Sequence, residues 1–342
     1  MLAIRARSPL RISFGGGGTD VSPYVDDHGG LVLSATVDKY AYASLRPSDE
    51  DAIIVSSLDY DFVAKYVLEE PLAFDGRLDL VKAVIRRLNG DPAGGRRGLE
   101  VYVHNDAPPG SGLGGSSALV VALVGAFQQW RKLSLSPHDI AELAFEVERV
   151  DLGLKGGRQD QFASAFGGIN LIEFSRGRTR VNPVAIGADT LYELQYNLLL
   201  CYTGETRRSD PIIEAQVKGY MEGDPAVVRA MDDLKAVTSS LTGALSSGRL
   251  DEFGRLLDAA WRAKKGMAPS ITNGRIDGLY EAARRAGALG GKVSGAGGGG
   301  YMFFYCPFGR KPAVAAALER QGARVVPFNF EFKGLQVWQA GT

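Results

Sequence analysis

The chain has 342 residues, 45% of them hydrophobic, and its 39 lysines and arginines are balanced by 39 aspartates and glutamates, which leaves a formal net charge of zero. This balance argues against nucleic acid or an anionic membrane as a partner, whereas a small anionic ligand needs only a local cluster of cations. The length corresponds to about two domains. The oligomeric state, including a homo-oligomer, stays open.

The first stretch, MLAIRARSPLRISF, has no signal-peptide layout, and no apolar run reaches the length of a membrane span. The two cysteines, Cys201 and Cys306, lie in apolar surroundings. We therefore expect a cytoplasmic protein with reduced core thiols and without a disulfide framework.

Strands are predicted at Ile4 to Phe14 and at Leu31 to Arg46, and the sequence FGGGGTD at 14–20 follows the first of them. A third strand is predicted around 99–103, where apolar and polar residues alternate as they do in a half-buried strand. A tight turn is the alternative explanation for such a glycine cluster, and for one cluster alone it is the favoured one.

The sequence PPGSGLGGSSA at 108–118 runs into an apolar helix, Leu119 to Phe127. A glycine-rich turn that feeds a helix N-terminus is an anion site, because the first helical N–H groups have no internal partner. No lysine follows the glycines, so this segment differs from a Walker A loop. Ser116 and Ser117 are available as helix caps or as oxygens that face a metal. The competing interpretation is an ordinary glycine-rich turn capped by serine.

A helix is predicted to begin at Ser136-Pro137, with the cap residue and the proline in the expected order. Steps of about 100° around its axis place Glu148 inside the apolar arc. A carboxylate there is costly unless it is paired or binds a metal. We leave both open: a structural ion pair, for instance with Arg158, or a metal site.

Asp160 lies in the sequence GGRQDQ at 156–161, where a short helix begins that Gly167-Gly168 ends. A plain capping carboxylate is the alternative to a functional one. Strands are expected at 169–174 and 197–202, followed by a strongly helical region over 210–287. The composition changes near 185–195, which divides the chain into an N-terminal domain, 1–190, and a C-terminal domain, 191–342.

A third glycine cluster, KVSGAGGGG at 292–300, contains a literal GxGxxG. A dinucleotide fingerprint needs a helix after the glycines, but here the apolar run 301–305 follows and is predicted to be a strand. We therefore reject a Rossmann interpretation. A helix near 313–320 and strands near 325–330 complete the predicted elements.

The order of these motifs resembles the galactokinase, homoserine kinase, mevalonate kinase and phosphomevalonate kinase (GHMP) superfamily. The motifs are RxxFGGGGTD at 11–20, PxGSGLGGSSA at 108–118, GxxDQ at 157–161 and KVSGAGGGG at 292–300. The first and third are most similar to the D-glycero-D-manno-heptose 7-phosphate kinases. The resemblance implies a two-domain α+β fold, with an N-terminal half like ribosomal S5 domain 2, a ferredoxin-like C-terminal half, and the site in the cleft between them.

The resemblance also implies ATP and Mg²⁺ and a role for each matching residue. Asp160 matches the catalytic aspartate, Arg11 the arginine beside it, and Glu148 with Ser117 the magnesium ligands. The ATP-binding loop comprises Gly110, Ser111, Gly112, Leu113, Gly114, Gly115, Ser116 and Ser117. The matching substrate-binding residues are Gly17, Gly18, Thr19, Asp20, Gly295 and Gly297.

One departure bears on the substrate, because galactokinases carry Glu-His where this chain has Gly17-Gly18. We expect the missing side chains to leave room for a longer sugar. The best cations for a sugar phosphate are Arg207 and Arg208, with Lys292 second, because guanidinium groups bind phosphate bidentately.

The predicted activity is ATP-dependent phosphorylation of the anomeric hydroxyl of the heptose 7-phosphate, which would serve nucleotide-activated heptose synthesis for capsule or lipopolysaccharide. The alternatives are a fucose- or galactose-type sugar 1-kinase and a non-enzymatic sugar and ATP sensor.

Overall fold

The computed structural model describes residues 3–90 and 97–341, which form two sheets with helices packed against them. The first sheet runs in the order β12-β1-β2-β5-β3-β4, with β6 paired to β2 and β7 to β6. Its strands are β1 (Ala3–Gly15), β2 (Gly30–Pro47), β3 (Ala52–Ser57), β4 (Phe62–Val67), β5 (Leu99–Asn105), β6 (Ile169–Ser175), β7 (Arg178–Pro183) and β12 (Gln336–Ala340). Only the β3–β5 pair is parallel among the described pairs.

Five helices accompany the first sheet. They are α1 (Tyr24–His28), α2 (Asp79–Leu88), α3 (Gly115–Arg131), α4 (Pro137–Glu146) and α5 (Gln159–Phe166). Helix α3 is buried over its whole segment 117–127 and packs on β1 and β2, which confirms the buried helix that its apolar run predicts. Helix α4 begins with the predicted cap, because Ser136 and Asp139 form a reciprocal capping box.

The second sheet is antiparallel, in the order β11-β8-β10-β9. Its strands are β8 (Leu198–Tyr202), β9 (Gly290–Val293), β10 (Tyr301–Tyr305) and β11 (Arg324–Val326). The helices in this half are α6 (Ala188–Asn197), α7 (Asp210–Met221), α8 (Pro225–Ser246), α9 (Leu250–Lys265), α10 (Gly274–Arg285) and α11 (Lys311–Arg320). This strand order is that of a ferredoxin-like fold, so the expected α+β architecture is confirmed.

The two halves share a packed interface. The Phe14 ring at the end of β1 makes edge-to-face contacts with Phe253 of α9 at 5.2 Å and with Phe303 of β10 at 5.7 Å between ring centroids. The predicted boundary between residues 190 and 191 falls within α6, and it stays a prediction. Strand β12 pairs with β1, so the chain returns to the first sheet after completing the second.

Both cysteines are free and buried, as expected, and burial raises the pKa of each thiol to about 12. Over the described ranges, 3–90 and 97–341, no helix has both the length and the apolar content needed to cross a bilayer.

Candidate active site

A cavity of about 1100 Å³ lies where the glycine-rich segments approach one another. Both halves of the molecule line it, since the second half contributes residues of α7 and α9, among them Gln216 and Lys264, and residues of the loops at 206–209 and 295–296. The predicted residues on its surface are Arg11, Gly17, Gly18, Asp20, Gly110, Ser111, Gly112, Gly114, Gly115, Ser116, Ser117, Glu148, Asp160, Arg207, Arg208 and Gly295.

The loop at 110–114 carries alternating left-handed glycines, with φ of 74° at Gly110, 79° at Gly112 and 78° at Gly114. Gly114 is the N-cap of α3, and no side chain caps this helix. The expectation that Ser116 or Ser117 caps the helix is therefore wrong, because both lie inside its first turn. The first N–H groups of α3 consequently face the cavity without a side-chain acceptor, as an anion site requires.

Backbone contacts join this loop to the third glycine cluster. The N–H of Tyr301 donates to the carbonyl of Ser111 at 3.0 Å. A Cβ built on Gly112 would lie 2.4 Å from the carbonyl oxygen of Ser294, and one on Gly300 would lie 2.2 Å from that of Ser111. Only glycine permits this approach, so the clusters near 110 and 300 form one surface.

Arg11 and Asp160 form an ion pair at the cavity wall. The Nε and Nη2 atoms of Arg11 lie 2.7 and 2.6 Å from Oδ1 of Asp160, while Nη1 donates to the carbonyl of Gly112 at 2.6 Å. A Cβ on Gly114 would lie 3.3 Å from Oδ2 of Asp160. Arg11 thus binds one oxygen of the Asp160 carboxylate, and the other oxygen lies beside the loop at 110–114.

Asp20 is buried and organises the segment before Asp160. Its carboxylate accepts hydrogen bonds from the backbone N–H of Gly18 at 2.9 Å and from the backbone and side-chain amides of Gln159 at 3.0 and 3.1 Å. Gly157 must be glycine here, since a Cβ would lie 2.0 Å from Oδ2 of Asp20. Asp20 therefore fixes the start of α5 and with it the position of Asp160.

Glu148 is buried, as the helical periodicity predicts, but the backbone around it is not a regular α-helix. A π-helical turn over Val147–Asp151 follows α4, and such turns are frequent at functional sites. Gln161 donates its amide to both the Glu148 carboxylate and the Ser117 hydroxyl, which brings the two predicted magnesium ligands together.

Burial raises the pKa of Glu148, and the Arg149 guanidinium at 3.9 Å opposes the shift. The ion-pair alternative stays open with Arg149 as the partner of Glu148, whereas Arg158 lies 3.6 Å from Glu142 instead. No group of three or more His, Cys, Asp or Glu side chains suited to a metal occurs in the part of the chain that the structure describes. A metal here therefore needs further oxygens from its ligand or from water.

Gly17 and Gly18 border the cavity, but they do not leave the open space expected from the sequence. A Cβ on Gly18 would lie 2.8 Å from Gln216 and from Met267 and 3.0 Å from Nζ of Lys264. A Cβ on Gly17 would lie 3.1 Å from Gln159 and 3.2 Å from Ser13, so the room vacated by the two missing side chains is filled from several segments of the chain. Sequence reasoning missed Lys264 and Gln216, because nothing in their local pattern distinguishes them from other polar residues on helices.

Four predicted residues do not reach the cavity surface. The Lys292 ammonium donates to the carbonyl of Ser13 at 2.7 Å, so it supports β1 from behind the cavity wall. The Thr19 hydroxyl is hydrogen-bonded to the carbonyl of Gly16 and the N–H of Leu31, which fixes the turn. Leu113 is buried, and Gly297 is half-buried against Ile271, whose carbonyl oxygen would lie 2.6 Å from a Cβ on Gly297.

Arg207 and Arg208 line the cavity on the side of the loop at 110–114. A Cβ on Gly110 would lie 2.9 Å from the carbonyl oxygen of Arg207, and one on Gly298 would lie 3.0 Å from its Cδ atom. Arg208 is largely exposed and pairs with Asp210 at 3.1 Å. Both arginines are therefore close to the anion loop, and their role toward a sugar phosphate stays a prediction.

Aromatic side chains line another part of the cavity. Tyr60, Phe62 and Phe74 contribute to this wall, and Tyr60 is 64% exposed. Beside them, Asp59 accepts hydrogen bonds from the backbone and side-chain amides of Asn105, both at 2.9 Å. This end of the cavity offers an aromatic surface with a polar edge.

Residues 79–168 match the GHMP kinases N terminal domain and residues 227–324 match the GHMP kinases C terminal domain. The D-glycero-alpha-D-manno-heptose 7-phosphate kinase of Campylobacter jejuni is 37% identical, over 99% of this chain and 100% of its own length.

Two further relatives carry names with different activities. The crystal structure of a D-glycero-D-manno-heptose 1-phosphate kinase from Bacteroides thetaiotaomicron has a TM-score of 0.83 and 34% identity, and the match covers 99% of this chain and 100% of that one. The L-fucokinase/L-fucose-1-P guanylyltransferase of Bacteroides fragilis is 26% identical over 97% of this chain but only 38% of its own length.

Proposed function

Because this chain belongs to the GHMP kinase family and is a sugar phosphotransferase, we propose that it transfers the γ-phosphoryl group of ATP to the anomeric hydroxyl of D-glycero-D-manno-heptose 7-phosphate, giving the 1,7-bisphosphate. The family and the full-length heptose kinase relatives support the chemistry. The observation that carries the proposal is the position of Asp160, whose carboxylate lies between Arg11 and the loop at the N-terminus of α3.

In this proposal the N–H groups at the start of α3 and along the loop hold the β- and γ-phosphates of ATP. Asp160 then accepts the proton of the acceptor hydroxyl, and the hydroxyl oxygen bonds to the γ-phosphorus. At the same time the bond from that phosphorus to the β-γ bridging oxygen breaks, and ADP leaves. Such transfers depend on positioning and on charge stabilisation. Arg11 is the positioning residue, since it binds Asp160 and Gly112 at once.

Glu148 and Ser117 fit a magnesium ion. The Glu148 carboxylate is buried with its charge only partly compensated, and it lies next to the Ser117 hydroxyl at the anion loop. Mg²⁺ would complete this donor set with phosphate oxygens and water. The ion would neutralise the phosphate charge that builds up during transfer. Gln161 would hold the two oxygen donors in place, because its amide donates to both of them.

The aromatic wall at Tyr60, Phe62 and Phe74 supports a place for the adenine ring, because an aromatic surface with polar groups at its edge suits a purine. Reduced, buried cysteines and an ATP donor also favour a cytoplasmic location.

The names of the relatives leave two questions for experiment: which sugar is the acceptor, and which position receives the phosphate. The purified protein with ATP and Mg²⁺ should be supplied separately with the free heptose, its 7-phosphate, its 1-phosphate, L-fucose and D-galactose, with ADP release as the rate measurement. Phosphorus NMR of the product identifies the new phosphate position.

We expect strong preference for the 7-phosphate and a product phosphorylated at the anomeric carbon. Equal turnover of fucose or galactose would remove the proposed substrate and leave the kinase activity standing. Selective use of the 1-phosphate would reverse the proposed regiochemistry.

A further inference from the structure

We propose that Lys264, together with Gln216, binds the end of the acceptor sugar that is remote from the reacting hydroxyl, which is the 7-phosphate if the function proposed above is correct. This assignment names a specificity-determining residue for that reaction. It differs from the sequence-based assignment of the same phosphate to Arg207 and Arg208.

Lys264 and Gln216 reach the cavity from the second half of the molecule and meet the turn at Gly17-Gly18. Nζ of Lys264 donates to the carbonyl of Gly17 at 2.6 Å, and Nε2 of Gln216 donates to the carbonyl of Gly18 at 2.9 Å. Both side chains belong to the cavity wall. A Cβ on Gly18 would lie 2.8 Å from Gln216 and 3.0 Å from Nζ of Lys264, so these two side chains occupy the space beside that glycine.

The Lys264 ammonium has capacity for a further ligand. It carries three N–H donors, and the contact with Gly17 uses one of them. The nearby Asp20 carboxylate already accepts three hydrogen bonds, from Gly18 and from Gln159. A phosphate oxygen in the cavity would supply an acceptor and a compensating charge at once.

Several charged groups surround the Lys264 ammonium. Arg11 is paired with Asp160, and burial lowers the pKa of Lys292 well below its usual range, so Lys292 adds little positive charge. Asp20 is the carboxylate that stabilises the Lys264 ammonium, and it is already engaged by Gly18 and Gln159. Burial lowers the pKa of Lys264 to about 8, which is the expected behaviour of an ammonium that lacks a full counter-charge.

Arg207 occupies a different part of the cavity, against Gly110 and Gly298. Lys264 contacts Gly17, in the turn that Asp20 ties to the start of α5. The cations thus divide into a group at the anion loop, suited to the nucleotide phosphates, and a lysine at the sugar-binding turn, suited to the phosphate that the acceptor brings.

The test compares two acceptors, the heptose 7-phosphate and the free heptose, in Lys264→Met and Lys264→Gln. The glutamine variant retains a donor for the Gly17 carbonyl and loses only the charge. We expect kcat/KM for the phosphorylated acceptor to fall by roughly 10- to 100-fold in both variants, the scale of a lost charge-assisted contact. The value for the free heptose and KM for ATP should change by less than about threefold.

Lys292→Met is the matched control, because Lys292 is also a buried lysine that donates to a backbone carbonyl but does not line the cavity. In this variant the ratio of the two acceptors should stay that of the wild type. An equal loss of kcat/KM for both acceptors in the Lys264 variants would mean that Lys264 only holds the turn at Gly17 in place, and it would overturn the proposal.

The wild-type measurement separates this inference from the proposed function. If the wild type shows no preference for the phosphorylated heptose, the proposed substrate fails. If the preference is present but both Lys264 variants keep it, the substrate stands and the assignment to Lys264 fails.

Discussion

Replacement of Asp160 by asparagine tests the reaction centre most directly. The amide has the size of the carboxylate, and its oxygen can still accept from Arg11, so the local geometry is preserved. What disappears is the charge and the capacity to take a proton from the acceptor hydroxyl. Loss of a general base costs about 10²- to 10⁴-fold in kcat, which corresponds to about 3–5 kcal/mol in the activation free energy.

The same substitution also affects stability, by a smaller amount. Arg11 is almost completely buried while Asp160 is about one-fifth exposed, so water and the Gly112 carbonyl moderate the loss of the counter-charge. A hydrogen bond to a charged group is worth about 1.5–3 kcal/mol, which bounds the expected fall in the free energy of unfolding. Thermal unfolding of the variant should therefore show a folded protein.

The assay measures ADP release at saturating ATP and acceptor, with nucleotide binding determined separately by titration. Glu100→Gln is a suitable control, because it weakens an ion pair with Arg46 that lies outside the cavity. We expect normal ATP binding in both variants and a lost turnover only in Asp160→Asn. A near-normal kcat in that variant would remove Asp160 from the reaction.

Three further predictions concern the metal, the anion loop and pH. Glu148→Gln should raise the Mg²⁺ concentration needed for half-maximal activity, since a hard cation prefers a charged oxygen; an unchanged requirement with a lower Tm would indicate a structural carboxylate. Arg207→Ala should raise KM for ATP by roughly tenfold, because the Arg207 side chain lines the cavity with its Cδ beside Gly298, while its backbone carbonyl lies beside Gly110. A selective rise in the sugar KM would instead support the sequence-based assignment. Because Lys264 has a pKa lowered to about 8, its ammonium loses a proton above that pH, and KM for the phosphorylated sugar should rise above pH 8. Lys264→Gln should abolish this pH dependence, and a flat wild-type profile would contradict the prediction.

Local patterns predicted much of the fold. The alternation at 99–103, the apolar run at 119–127 and the Ser-Pro cap at 136–137 each correspond to an element in the structure, because each encodes its own hydrogen-bonding or packing requirement. The special position of Glu148 was also predictable, since one carboxylate in an apolar arc is a local anomaly. These signals lie within one turn or one strand of the residue concerned.

Contacts between distant segments were not predictable in this way. Lys264 meets Gly17 across 247 residues, and its own helix places it among ordinary amphipathic positions. The assumption that two glycines create space failed for the same reason, because most of the side chains that fill the space come from other parts of the chain. Similarly, the π-helical turn after Glu146 depends on packing that a 100° periodicity does not represent.

The pairing of β12 with β1 has a consequence for biosynthesis. Arg11 lies on β1, and β12 follows that strand some 320 residues later in the chain. At about 5–20 residues per second, β1 waits roughly 20–60 s for that neighbour. During this interval one edge of β1 is open to pairing with other nascent chains. Expression at lower temperature or with chaperones that shield strand edges should therefore improve the soluble yield.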